Sequence, residues 1–124
     1  MLKLVLTEDG SHTLYSEKLN ETYHSLHGAW QESVHVYLKN GLEYLVSESN
    51  LDSIKIFELG FGTGMNAILS LDFAEKHNKK IDMTSIEPYP VSMDLIKQMN
   101  YEKFIDPKIR YFWQNIHEVS WENK

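Results

Sequence analysis

The chain has no cysteine among its 124 residues, which excludes disulfides and thiolate metal ligands. That is compatible with a reducing cytoplasm, where the protein is expected. No apolar run approaches the length of a membrane span, so no membrane-embedded role is expected. The first residues also lack the charged and apolar regions of a secretory leader. Positive charge is scarce. The net charge of −6 argues against this segment gripping a phosphate backbone by itself, although RNA as a substrate stays open if other segments supply a positive surface. There are only 3 prolines and 6 glycines. Half of those glycines fall in one short stretch. The rest is 42% hydrophobic and 24% charged, the balance of one globular domain with a modest core.

The glycine-containing stretch organises the chain. Ile54, Ile56, Phe57 and Leu59 form a β-branched and aromatic run that suits a strand buried on both faces of a parallel sheet. Gly60, Gly62 and Gly64 follow at every second position and permit a tight turn with close approach of a ligand. The period then changes. Ala67, Ile68, Leu71 and Ala74 recur at helical spacing, with Asn66, Ser70, Asp72 and Glu75 between them, over a helix from about Asn66 to Lys76. Strand, glycine turn and helix open a nucleotide-binding βαβ unit.

Two carboxylates select the kind of cofactor. A dinucleotide fingerprint reads G-x-G-x-x-G and rests a pyrophosphate on the helix N-terminus. Here Glu58 stands directly before the glycines, where it would repel a pyrophosphate and attract an ammonium group. S-adenosylmethionine, with its sulfonium and α-ammonium and no phosphate, fits such a turn better. The next strand, Ile81 to Ile86, ends in Glu87, which lies 23 residues beyond Gly64. That is near the spacing, about 20 residues, at which an acidic side chain meets ribose hydroxyls in related sheets. A class I methyltransferase core is therefore expected rather than a plain strand–helix connector.

Before this core, Leu2 to Leu6 and Thr13 to Ser16 read as strands joined by the Glu8-Asp9-Gly10-Ser11 turn, a surface hairpin. Asn20 to Ser33 gathers Tyr23, His24, Ser25, His27, Glu32 and Ser33 in a loop and the start of a helix. Loops at the edge of a glycine-rich site commonly complete it. The helix is expected from about Ala29 to Ser47, with Trp30, Val34, Leu38, Leu42 and Leu45 as an apolar stripe. His24 and His27 have no third ligand at convincing spacing, and no metal site is assigned. His12, His77 and His117 are scattered and are expected to face solvent or bond locally. After Glu87, Val91 to Met99 has helical periodicity, and Ile109 to Trp113 reads as a third strand behind an Asp106-Pro107 turn. With no repeat or linker, 1–124 is expected to be a single domain: a hairpin and helix over 1–50 and a cofactor-binding βαβ core over 51–124.

Three blocks carry a resemblance. Asp9-Gly10-Ser11-x-Thr13-Leu14-Tyr15-Ser16 comes first, then Glu21-x-Tyr23-His24-Ser25-x-x-Gly28-Ala29-x-x-Glu32-Ser33-x-x-Val36, then Glu58-x-Gly60-Phe61-Gly62-Thr63-Gly64-x-Asn66. Together they resemble the MnmC-like methyltransferase domain, which in bacteria is joined to a flavin-dependent oxidase or stands alone. The resemblance implies a Rossmann-like α/β fold and methyl transfer from S-adenosylmethionine to an aminomethyl group on the wobble uridine of certain tRNAs, giving 5-methylaminomethyl-2-thiouridine. Its implied partners are tRNA and a flavin-dependent oxidase domain. The candidate cofactor residues are Tyr23, Ser25, Glu58, Gly60, Gly62, Gly64, Asn66 and Glu87. Glu32 is either a pocket residue or a helix-face charge. No general base is assigned.

The departure from the family is at the C-terminal side, where members continue through further strands and an acidic, proline-containing motif. Only 70 residues follow Ile54, enough for strands 1 to 3 of the sheet. The resemblance implies that the Ile54 strand lies mid-sheet. Its far side would then leave Ile54, Ile56 and Phe57 on an open apolar edge, through which a fragment with little activity would self-associate. Two other function classes remain: an NAD-dependent oxidoreductase, and a non-catalytic remnant or interaction module.

Overall fold

The computed structural model describes residues 1–121. Strands β1 (Leu2–Leu6), β2 (His12–Ser16) and β3 (Glu21–Thr22) form an antiparallel sheet in the order β1-β2-β3. Strands β4 (Ser53–Leu59) and β5 (Lys80–Ile86) pair in parallel, with Ile54 beside Ile81 and Glu58 beside Ser85. Helix α3 (Met65–His77) crosses from β4 to β5 and completes the expected βαβ unit. The architecture is Rossmann-like α/β.

The N-terminal hairpin does more than cover a surface. Leu14 and Thr13 are fully buried, and Leu14 joins Ala29, Met65, Ile68, Tyr101 and Trp113 in the main core. The β1–β2 turn also caps a helix. Asp9 Oδ2 accepts from Gln31 N at 2.9 Å, Ser11 Oγ from Trp30 N at 2.9 Å, and Thr7 Oγ1 from Ala29 N at 3.1 Å. Three N–H groups that an α-helix leaves without intrahelical partners are thus satisfied from a distant turn. Asn100 fastens the same turn to the late part of the chain, accepting from His12 N at 2.9 Å and donating to Gly10 O at 2.7 Å.

The capped helix is a rod of three parts: α1 (Ala29–Ser33), a π-wound segment (Val34–Glu43) and α2 (Tyr44–Ser49). The wider turn alters the expected stripe. Trp30, Val34, Leu38 and Leu42 pack inward as the spacing requires, whereas Leu45 is exposed and Val46, four beyond Leu42, takes its place with Tyr37. Helix α3 is buried on more than one side, since Ser70 and Asp72 are interior along with Ile68, Leu69 and Phe73. Asn78, in the left-handed conformation, ends it as the sequence suggests.

Four expectations are corrected. Ile109 to Trp113 is not a strand: Asp106 caps a short 3₁₀ turn, Pro107–Ile109, which runs into helix α5 (Arg110–Glu118). Asp106 accepts from Lys108 N at 3.0 Å and Pro107 fills a first-turn position, so Asp-Pro starts a helix here. Secondly, β4 is covered on one face only. Ile54, 3% exposed, and Ile56 pack under the rod and α3, while Phe57 (63%), Leu59 (78%) and Ile86 (50%) stand on the open face of the sheet. Ile54 and Ile56 therefore do not contribute to an exposed patch, although β4 pairs only with β5 among the described residues. Thirdly, His117 lies inside, edge-on to Phe61 and Trp113, with its buried Nε2 unpaired among the described residues. Finally, His12 has a buried, unpaired Nδ1. Helix α4 (Met93–Gln98) and a 3₁₀ turn, Tyr101–Phe104, connect β5 to α5. Trp30 stacks on Phe104 at 5.3 Å, and Tyr101 meets Trp113 edge-on.

Candidate cofactor site

The turn leaving β4 is held from both sides. Gly60 N donates to Ile86 O at 2.8 Å, drawing together the C-terminal ends of the two parallel strands. Glu87 Oε1 accepts from Gly62 N at 2.8 Å, and its other oxygen accepts from Tyr89 N at 3.1 Å. The carboxylate thus sets the shape of the glycine turn while keeping lone pairs for further donors. Ligands of open parallel sheets bind at this end of the strands.

The glycines divide the work. Gly62, at φ +58°, would carry a Cβ 3.4 Å from the Tyr23 ring, so the turn and that ring face each other closely. Gly64, at φ +81°, faces the opposite way, and a Cβ there would stand 2.8 Å from His117 Cε1 and 2.9 Å from Phe61 Cζ. Its smallness serves the packing of α5 beneath the turn, away from the ligand side. Among the described residues nothing lies within 4 Å of a Cβ built on Gly60.

Above the turn is a cavity of about 430 Å³, inside the range of roughly 300–1,000 Å³ typical of small-molecule pockets. Its floor is the turn and the start of α3, including Gly60, Gly62, Thr63 and Asn66. Its roof comes from the loop after β3 and from the rod: Tyr23, His24, Glu32, Ser33, Val36 and Tyr37. No Lys or Arg among the described residues lines it. Tyr37 Oη bonds Ser70 Oγ at 2.5 Å, and Ser70 Oγ donates to Asn66 O at 2.7 Å, tying roof to floor. Burial pushes the phenols of Tyr23 and Tyr37 up, so both remain neutral at pH 7.

Glu58 is half-buried on the covered face of β4 and accepts from Ser85 Oγ at 2.8 Å. Burial raises its pKa above the ordinary value, against the hydrogen bonds from Ser85 and Asn66. A nearby cation would be favoured by the charged form.

Of the candidate residues, Tyr23, Gly60, Gly62 and Asn66 line one cavity, and Glu32 joins them as a pocket residue. Glu58 and Glu87 stand just behind, bonded to Ser85 and to the turn. Ser25 is occupied locally, its N–H donating to Glu32 Oε1 at 3.1 Å and its Oγ accepting from His27 N at 3.1 Å. His24, Tyr37, Thr63 and Met65 are lining residues that the candidate set lacks. His24 lay in the polar cluster before the helix; Tyr37 was hidden by the π winding, which brings it to the inner face. A larger apolar hollow of about 490 Å³, between α3, β5 and α5, has no titratable lining group among the described residues and is not the candidate site.

The fold has a solved counterpart. MnmC2 from Aquifex aeolicus superposes with a TM-score of 0.75 over 99% of this chain, at 24% identity, and this chain covers 39% of it. Over that span the chain has the fold of MnmC2. An uncharacterized protein of Methanocaldococcus jannaschii is 31% identical over 114 residues, 90% of this chain and 30% of its own length. The chain thus spans well under half of each relative. No family model matches it. The MnmC2 fold and the MnmC-like blocks of the sequence coincide in space: Asp9-Gly10-Ser11 caps the rod, Tyr23 to Glu32 forms the roof, and Glu58 to Asn66 leads into the floor. No helix among the described residues is long and apolar enough to cross a membrane.

Proposed function

We propose that this chain is the cofactor-binding part of an S-adenosylmethionine-dependent methyltransferase that modifies the aminomethyl group of the tRNA wobble uridine. The observation that carries the proposal is the glycine-turn cavity lined by Glu32, with Glu58 and Glu87 bonded to Ser85 and to the turn behind it and no basic lining residue among the described residues. Such surroundings disfavour a pyrophosphate and suit a ligand with cationic groups. S-adenosylmethionine, when bound, supplies an electrophilic methyl group. The residues of the chain would hold and orient it: Gly60 and Gly62 allow close approach, Glu58 favours the ammonium end, and Glu87 has spare lone pairs for ribose hydroxyls. Tyr23 and Asn66 would close the cavity from either side. Catalysis of such a transfer is chiefly the positioning of two reactants. The tRNA substrate rests on the MnmC-like sequence blocks and on the shared MnmC2 fold, and a flavin-dependent oxidase is the expected neighbouring activity.

Calorimetric titration with S-adenosylhomocysteine and with NAD tests the cofactor. Binding of the first and not the second is expected, and the reverse would replace the methyltransferase by an oxidoreductase. Methyl transfer to undermodified tRNA tests the substrate. Cofactor binding without transfer would make the chain an interaction module or a part that needs the rest of its protein.

A further inference from the structure

The roof of the cavity contains a histidine whose tautomer is fixed by its neighbours. His24 is half-buried and is one of the residues lining the cavity. The Thr13 hydroxyl, itself fully buried, accepts from His24 N at 3.1 Å and lies 2.9 Å from His24 Nδ1. A hydroxyl has one hydrogen, and the Thr13 hydroxyl meets no other acceptor among the described residues. Donating it to Nδ1 satisfies both buried groups, whereas the opposite tautomer would leave a buried O–H unused. Nδ1 is therefore the acceptor, and Nε2 carries the proton. Burial pulls the imidazole below its ordinary pKa, with the Glu32 carboxylate partly opposing, so the ring is neutral at pH 7. Nε2–H makes no hydrogen bond among the described residues, and it is not among their buried unpaired atoms, so it is open to solvent or to a ligand.

We propose that His24 is a ligand-binding residue whose Nε2–H donates to the α-carboxylate at the amino-acid end of S-adenosylmethionine. This rests on the cofactor proposed above. The amino-acid end of that molecule is a zwitterion, and the site is unequal to its two charges. Glu32 in the wall, with Glu58 and Glu87 behind it, suits the ammonium, while a carboxylate in the same cavity needs donors. A Lys or Arg in that position would compete for the same acidic side chains and repel the sulfonium. A neutral N–H donor satisfies the ligand oxygen without adding positive charge. The Thr13 hydrogen bond holds the ring in the orientation and tautomer that this requires, which makes Thr13 a positioning residue.

The test compares two ligands that differ in the amino-acid end. S-adenosylhomocysteine has it, and 5′-methylthioadenosine does not. In calorimetry, His24→Phe is expected to weaken S-adenosylhomocysteine by about tenfold to a hundredfold while leaving methylthioadenosine unchanged. His24→Gln, which retains an N–H donor, is expected to recover part of the loss. Thr13→Val, nearly isosteric, is expected to weaken only S-adenosylhomocysteine, and nitrogen NMR of the wild-type ring should show the proton on Nε2. Equal weakening of both ligands would reduce His24 to a structural residue, and unchanged S-adenosylhomocysteine binding would remove the contact. If the wild-type chain binds neither ligand, the cofactor assignment itself falls, an outcome distinct from a failure at His24 alone.

Discussion

Acid should loosen this fold through His117. The ring lies under the glycine turn, against Phe61 and Trp113, and burial holds its pKa down at about 4 from an ordinary 6.5. The unfolded chain then takes up the proton first as the pH falls. Stability from this group is complete above pH 6.5 and drains as the pH descends towards about 4. Each pH unit in that window carries about 1.4 kcal/mol, an upper bound of about 3 kcal/mol overall, and partial solvent contact of the ring brings the expected loss to about 2 kcal/mol. His12 and His24, also lowered by burial, add slope of the same sign. Glu58, raised by burial, acts in the opposite sense, since its protonated form is the one favoured inside. The difference between wild type and His117→Leu isolates the one ring. Urea unfolding followed by tryptophan fluorescence at pH 7, 6, 5 and 4 should show a gap that widens by about 2 kcal/mol in favour of the variant towards acid. The variant also loses an unpaired buried nitrogen, so it should be at least as stable at pH 7. Parallel pH profiles, or an NMR titration placing His117 near 6.5, would refute the burial argument.

Three further outcomes are expected. Glu87→Ala should lower S-adenosylhomocysteine affinity by about 1.5–3 kcal/mol, because it removes a charged acceptor and frees Gly62 N–H; calorimetry on the folded variant showing full affinity would take Glu87 out of the site. Gly62→Val should abolish ligand binding, since it forces φ +58° on a β-branched residue and pushes a side chain against Tyr23; circular dichroism separates this from unfolding, and retained binding would mean the turn is only a connector. The open sheet face of Phe57, Leu59 and Ile86, beside an edge of β4 unpaired among the described residues, should promote self-association. Light scattering should give more than a monomer mass at high concentration, reduced by Leu59→Lys, and an unchanged monomer in both would remove the interface.

Much of the core was legible because its signals are local. β4, the glycine turn, α3 and its Asn78 stop follow one another in the sequence as they do in space. Ile109, Tyr111 and Trp113 alternate like a strand, which is why the sequence alone suggests one there. The same stretch also carries Ile109, Trp113 and Ile116 at helical spacing behind an Asp-Pro start, and packing against Tyr101 decides for the helix. One-sided cover of β4 was not readable from its apolar run, since burial depends on which elements lie on each face. His117 gave no sign either: its burial comes from contact with Gly64 and Phe61, which lie far from it in the chain. Around the cavity, the glycine turn is legible from local order, whereas the contact of Glu87 with Gly62 and of Thr13 with His24 joins residues distant in the chain and appears only in the fold.

The side-chain cap on α1 has a consequence for how the molecule opens. Helix N-termini are ordinarily the first places to fray, and their leading amides exchange with solvent quickly. Here the amides of Ala29, Trp30 and Gln31 are held by Thr7, Ser11 and Asp9, so they can exchange only when the hairpin turn lets go. Hairpin and rod should therefore open as one cooperative unit. Because Leu14 and Ala29 belong to the main core, loosening that unit is tied to loosening the core beneath it, and a change at Asp9, remote from any ligand, should be felt as faster exchange at Ala29, Trp30 and Gln31.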